Sequence, residues 1–193
     1  MDDPLTLLAD DRNKARAAGD PWANLCVLAT IDAQLNPQAR VVVLRDVERR
    51  FAVFINRSSP KHTELGLSHR HAILVYLASL GVQYRLTVSF EPVPATLVHQ
   101  SWLERPRIPK VMDWLYEHFQ PQSSAVPSRE HLVERYAAVD MQLTQGIAAP
   151  SAALGFYLVA EQVERLELAG DRIHARRRYR RDGPNWHATE LIP

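Results

Sequence analysis

The chain has 193 residues, 46% of them hydrophobic and 23% charged, which supports a folded core and excludes a disordered polar chain. Lys and Arg number 23 against 22 Asp and Glu, a net charge of +1, so no global field draws the protein onto nucleic acid or an anionic membrane. There is no apolar run of about 20 residues and no signal-peptide pattern, and the one cysteine, Cys26, lies in the apolar run 25–28, so a cytoplasmic protein with a buried thiol is expected.

Residues 4–18 read as a short helix that packs through Leu5, Leu7 and Leu8 and stops at Gly19-Asp20-Pro21. From Ala23 the pattern changes to β-rich runs at 25–31, 39–46 and 51–56, joined by turns at 32–37 and 47–50, which predicts an antiparallel meander. Residues 58–67 open with Ser-Ser-Pro and carry a polar helical pattern, and 72–78 and 83–93 read as two further strands. Helices are expected at 96–101 and 109–119, separated by Arg105-Pro106-Arg107-Ile108-Pro109, because closely spaced prolines resist a continuous helix. After a polar loop at 120–127, helical spacing returns over 131–145 through Leu132, Tyr136, Val139 and Leu143. Strands at 156–168, 172–180 and 186–191, with turns at Gly170 and Asp182-Gly183-Pro184, form a final meander. The reading is a mainly β fold with inserted helices, a barrel in one domain over 1–193. Within it, 1–20 hold the N-terminal helix, 96–145 a helical insertion and 156–193 the C-terminal strands.

The densest chemical signal is Gly170-Asp171-Arg172-Ile173-His174-Ala175-Arg176. As a strand it would set Arg172, His174 and Arg176 on one face, two guanidinium forks around an imidazole, suited to phosphate or carboxylate. A charged edge that discourages strand pairing accounts for the run equally well, since Arg177, Arg178, Arg180 and Arg181 continue it. In Arg40-Val41-Val42-Val43-Leu44-Arg45, Arg40 shares a face with Val42 and Leu44, and Arg45 shares the opposite one with Val41 and Val43. A snorkelling end-of-strand residue is the simple alternative for Arg40. Lys61 follows Ser58-Ser59-Pro60 at a helix start, where free backbone N–H groups can help an ammonium to hold phosphate. Gln83 and Gln122-Ser123-Ser124 suit the polar edge of a heteroaromatic ring, although ordinary turn polarity also accounts for the loop. The histidines lack metal-ligand spacing, and neither G-x-G-x-x-G nor a Walker loop occurs, so no metal centre, Rossmann site or P-loop is expected.

Taken in order, Arg40 to Arg45, Ser58-Ser59-Pro60-Lys61, Gln83, Arg105-Pro106, Gln122-Ser123-Ser124, Pro150-Ser151, Gly155-Phe156 and Arg172 to Arg176 resemble the pyridoxamine 5'-phosphate oxidase family. The resemblance runs from about Leu5 to the terminal Leu191-Ile192-Pro193. It implies an FMN-binding split β-barrel, a homodimer with FMN at the interface, and hydride transfer from a small-molecule substrate to FMN with dioxygen as acceptor. The first candidate substrate is a phosphorylated B6 vitamer. The implied FMN contacts are Arg40, Arg45, Lys61, Gln83, Gln122, Ser123 and Arg176. Arg45 and Arg105 would bind substrate, and Arg172 and His174 would hold its ring against the flavin as catalytic residues.

The sequence also departs from the family pattern. Arg45 stands where the family usually has lysine, Pro60 replaces a phosphate-binding arginine, and Ala153 lies where a tryptophan would cover the cofactor. Ser101 and Pro109 replace the tyrosine and serine that join Arg105 in clasping the substrate phosphate. Weaker FMN binding and a changed substrate are therefore expected. The alternatives are an FMN-dependent oxidase or reductase of another small aromatic or anionic metabolite, or a flavin-binding protein without turnover.

Overall fold

The architecture follows from how β1 (Leu25–Ile31) and β2 (Pro37–Val43) are connected to β3 (Arg45–Val47) and β4 (Arg50–Asn56) in the computed structural model, which describes residues 3–143 and 147–193. β1 and β2 form one hairpin, with Leu25 opposite Val43 and Ile31 opposite Pro37. β3 and β4 form a second, turned by Glu48 and Arg49 at φ 48° and 65°, the left-handed backbone that a two-residue hairpin loop requires. The predicted strand 39–46 is thus broken at Leu44, and the predicted three-strand meander is two hairpins instead. They lie at opposite ends of the order β2-β1-β5-β6-β7-β4-β3. Since Leu44 alone separates β2 from β3, the two ends of the sheet must meet, and the sheet has to curl.

The remaining strands are β5 (His71–Leu77), β6 (Val82–Pro92), β7 (Ala153–Glu167), β8 (Ala175–Asp182) and β9 (Asn185–Glu190), and all the pairings are antiparallel. The first part of β7 lies between β4 and β6 and its last part between β6 and β8. Its register against β6 slips between Thr87 and Val88, where Glu161 is left without an opposite residue. A bulge of this kind adds twist and helps the sheet to curl. Burial alternates strictly along β1, so its Cys26, Leu28 and Thr30 point inward. Facing them are Ile73, Val75, Tyr84, Leu86, Val88 and Val163.

The helix α1 (Pro4–Ala17) is capped by Asp3, whose carboxylate accepts the Leu5 N–H at 3.0 Å, and it buries Leu8 as expected. It also buries Asp11 and Arg12, which its weak apolar pattern did not reveal. Arg12, fully buried, donates to Ala23 O (2.9 Å) and Leu44 O (2.7 Å) and pairs with Asp46. Asp11 accepts from Tyr84 Oη at 2.7 Å and from Arg165 at 3.1 Å. Burial works against its charge, yet the Tyr84 hydroxyl, Lys14 and Arg165 hold its carboxyl below the usual range.

The short α2 (Pro60–Leu67) precedes β5. α3 (Ala95–Leu103) covers the outside of β4 and β7, where Ala52, Val93 and Tyr157 form a small second core with Leu97 and Val98. α4 (Arg107–His118) and α5 (Arg129–Gln142) pack together through Val111, Leu115 and Val139. α4 begins two residues before the predicted start and takes Pro109 into its first turn, which is tolerated because N–H groups there have no helical partner. Gln145, at the end of the predicted 131–145 helix, lies outside the described residues. Among the described residues, no helix is long and apolar enough to cross a membrane.

The strand predicted over 172–180 begins only at Ala175. Arg172 has φ 66° and closes a turn onto Ala169 O at 3.0 Å. Asp171 accepts the Ile173 N–H (2.9 Å), and His174 Nδ1 accepts the Ala169 N–H (3.0 Å). These side-chain bonds compete with the ladder, so the one-face alignment of Arg172, His174 and Arg176 does not form.

Candidate functional site

The residues singled out by sequence fall into two sets. Arg45, Lys61, Arg105 and Gln122 line one cavity of about 640 Å³. β2, β3 and β4, the start of α2, and α3 and α4 enclose it, with Val41, Val43, Phe54, Trp102 and Met112 as apolar walls. The break at Leu44 is what delivers Arg45 to this cavity, because Leu44 turns into the core while the chain restarts as β3.

One end is built on Asn56, the last residue of β4. Its Oδ1 accepts from Ser58 N (2.9 Å) and Ser58 Oγ (2.8 Å), and Ser58 Oγ accepts in turn from Gln122 N (3.1 Å). Lys61, in the first turn of α2, donates to Ser59 Oγ and to Gln122 Oε1 (3.3 Å). Burial lowers the Lys61 pKa and Arg40 lowers it further, against Glu64 and Asp113. An ammonium short of countercharge and two serines beside a helix start fit a phosphate monoester. Ser123 adjoins Gln122 with φ 72°.

Arg40 supports this end from behind. It pairs with the buried Glu64 and donates to Thr30 Oγ1 (2.5 Å), whose hydroxyl also donates to Glu64 (2.5 Å). Its guanidinium is therefore already engaged by side chains that hold α2 against β1 and β2.

At the other end, Arg45 donates to Ser101 Oγ at 3.0 Å and lies over the Phe54 ring at 5.5 Å. Burial and then Arg105 lower its pKa, with Glu104 opposing. Arg105 sits 5.5 Å over the Trp102 ring and forms an ion pair with Asp113, whose side chain is 5% exposed. The other Asp113 oxygen accepts from Asn56 Nδ2 at 3.2 Å. Burial pushes the Asp113 carboxyl up, against Arg105, Asn56 and Lys61.

The second set lies elsewhere. Tyr76, Gln83, Leu166 and Arg176 are directly opposite one another across β5 to β8 and so share a face. Two residues along each strand the next row holds Leu74, Arg85, Glu164 and Arg178, and pairing through Val27 carries that row to Val41 on β2. The outer face bearing Gln83 and Arg176 is thus continuous with the cavity wall. Gln83 is three strands and Arg176 five strands from β2, roughly 14 and 24 Å along the sheet at about 4.8 Å per strand. Arg176 rests on the buried Glu164 (2.9 Å), and Arg172 and His174 occupy the β7–β8 turn. Cys26 is buried, and desolvation pushes its thiol up to about 12, so it remains protonated.

Sequence reasoning did not find Asp113, Asn56 or Glu64. Asn56-Arg57-Ser58-Ser59-Pro60 is a legible turn signal, whereas Asp113 and Glu64 look like exposed helical polar residues until the fold buries them beside arginines.

Fold and site together define a curled, helix-decorated β half-barrel with a cation-lined, aromatic-walled cavity at the join of its sheet ends. No family model matches the chain. It is 31% identical over 191 residues to the pyridoxine/pyridoxamine 5'-phosphate oxidase of Polynucleobacter asymbioticus, covering 98% of this chain and 89% of the relative. The corresponding enzyme of Anaeromyxobacter dehalogenans is 30% identical over 193 residues, covering 99% and 96%. The chain belongs to the pyridoxine/pyridoxamine 5'-phosphate oxidase family. PhzG from Burkholderia lata 383, solved in complex with tetrahydrophenazine-1-carboxylic acid, superposes with a TM-score of 0.87 at 25% identity, covering 99% of this chain and 93% of PhzG. A pyridoxamine 5'-phosphate oxidase-related, FMN binding protein from Nostoc punctiforme shares the fold with a TM-score of 0.76 at 16% identity, covering 97% and 96%.

Proposed function

We propose that the protein is an FMN-dependent oxidoreductase acting on a small aromatic anion. The observation that carries this reading is the convergence of Arg45, Lys61 and Arg105 on one aromatic-walled cavity in a chain of this family. Lys61, the serines and the start of α2 would hold the FMN phosphate, with Gln122 and Ser123 at its polar edge. Bound FMN would accept a hydride from the substrate and pass the two electrons to dioxygen, releasing hydrogen peroxide. Arg45 would orient the substrate's anionic group, and the apolar walls would exclude water.

Gln83 and Arg176, too far along the sheet to reach their own cavity, would serve that of a second copy, with Arg172 and His174 of the same turn facing its substrate. A homodimer pairing the two outer faces supplies that geometry. The family names point first to pyridoxine or pyridoxamine 5'-phosphate as substrate. A second reading, an aromatic anion without that phosphate, is favoured by the ion pair that already occupies Arg105.

The test is the visible spectrum of purified protein, followed by turnover. A flavin band that bleaches with substrate and returns in air, with peroxide formed, is expected. Protein that takes up no FMN would sink the reading, and FMN that no aromatic anion reduces would leave only a flavin-binding role.

A further inference from the structure

The three cations of the cavity are not equivalent. Lys61 is turned to Ser59 and Gln122. Arg105 faces Asp113, a carboxylate with almost no exposure, fixed from its other side by Asn56. Arg45 has no carboxylate within ion-pair distance among the described residues, and its neighbour is the neutral hydroxyl of Ser101. An anion reaching Arg45 and Ser101 therefore meets one planar fork free of a salt bridge and one hydroxyl, with Glu104 as the nearby opposing charge and the buried Asp113 behind Arg105. A carboxylate needs one charge and two in-plane donors, which a single guanidinium supplies. A phosphate monoester brings a second negative charge and a third oxygen, which Asp113 repels and which find no free cation at this end of the cavity.

Resting on the reading of this cavity as the substrate site, we propose that Asp113 sets its specificity by neutralising Arg105, so that the protein takes flat aromatic monocarboxylates in preference to aromatic phosphate monoesters. Asp113 acts through Arg105 and is a positioning residue; Arg45 is the group that touches the ligand. The walls agree with the flat body of such a ligand, since Phe54, Trp102, Ile108 and Met112 surround the charged end with apolar surface.

The test is calorimetric titration of FMN-supplemented protein with two probes, 1-naphthoate and pyridoxal 5'-phosphate. Wild type is expected to bind 1-naphthoate about tenfold or more tightly than pyridoxal 5'-phosphate, and D113N to gain about tenfold for pyridoxal 5'-phosphate while 1-naphthoate changes little. The double variant R105Q/D113N, which removes both members of the pair and so keeps the net charge, is expected to return pyridoxal 5'-phosphate affinity to within about threefold of wild type. A disruption of packing would weaken both probes together and could not produce this exchange of preference. Wild-type preference for the phosphate, an unchanged ratio in D113N, or a D113N gain that survives in the double variant would overturn the proposal. Should D113N fail to fold, the double variant alone decides, since a tenfold loss of pyridoxal 5'-phosphate affinity in it would show Arg105 already free in wild type. Absence of the flavin band would overturn the preceding reading instead, and the same titrations in a K61A background, where no ammonium remains to hold the phosphate at the other end of the cavity, still decide this one.

Discussion

Single side chains at the cavity are set against their own preference. Lys61 is an ammonium partly stripped of water, next to another cation and at the open start of a helix, so an arriving phosphate relieves several unfavourable terms together. Lys61→Ala is expected to weaken FMN binding by about tenfold or more, read by flavin fluorescence titration, with little change in thermal midpoint. His71 illustrates the same physics in the core. It is 5% exposed beside Phe90, its Nδ1 has no hydrogen-bond partner, and burial lowers its pKa against backbone groups of Ser68 and Leu65. A folded-state pKa below the unfolded 6.5 means that the unfolded chain binds the proton first. The stability it contributes is present above pH 6.5 and lost as pH falls through the folded pKa. Urea midpoints should therefore decline below that pH in wild type, and His71→Leu should flatten the decline.

At the scale of elements, the site depends on the corner where β2 becomes β3. Arg12 reaches from α1 to both sides of Arg45, taking Leu44 O and pairing with Asp46. Its removal strands buried carbonyls and loosens that corner. Arg12→Met is expected to destabilise the protein by about 3 kcal/mol, measured by denaturant unfolding. The junction of β4, β7 and the chain entering α3 is equally tight. A Cβ on Gly155 would lie 2.9 Å from Phe54 Cε1 and 3.0 Å from Val93 Cβ, so no side chain fits without movement. Gly155→Ala should destabilise by about 1–3 kcal/mol and shift the Phe54 ring beneath Arg45, visible as weakened ligand binding as well as a lower melting temperature.

For the whole molecule, the decisive feature is the exposed outer face of the sheet. Val41 and Val43 are about half exposed, at 49% and 50%, and Tyr76 on the same face is 42% exposed. A patch of this kind, continuous with the cavity and carrying Gln83 and Arg176, fits a self-complementary contact. Val43→Asp should shift the protein to monomer in light scattering and lower flavin content, since a charge would then be buried in the proposed interface. A dimeric variant with full flavin content would refute that arrangement.

The sequence by itself determined the elements that periodicity and turn chemistry encode: α1 with its Gly19 stop, the alternating strands, α2 behind Ser-Ser-Pro, and the late hairpin at Gly183. It also marked Lys61, whose charge follows Ser-Ser-Pro at a helix start, and Gln122 in its polar loop, while Arg45 and Arg105 were marked as site residues by the resemblance to the family. Only the tertiary structure decided that the strand through Leu44 breaks, that Arg172 lies in a left-handed turn, and that Asp113, Glu64 and Asp11 are buried partners of arginines. The physical reason is range. Backbone preference and amphipathic pattern act between near neighbours, whereas an ion pair such as Arg40 with Glu64 or Arg165 with Asp11 exists only once a curled sheet has brought distant segments together and removed the water between them.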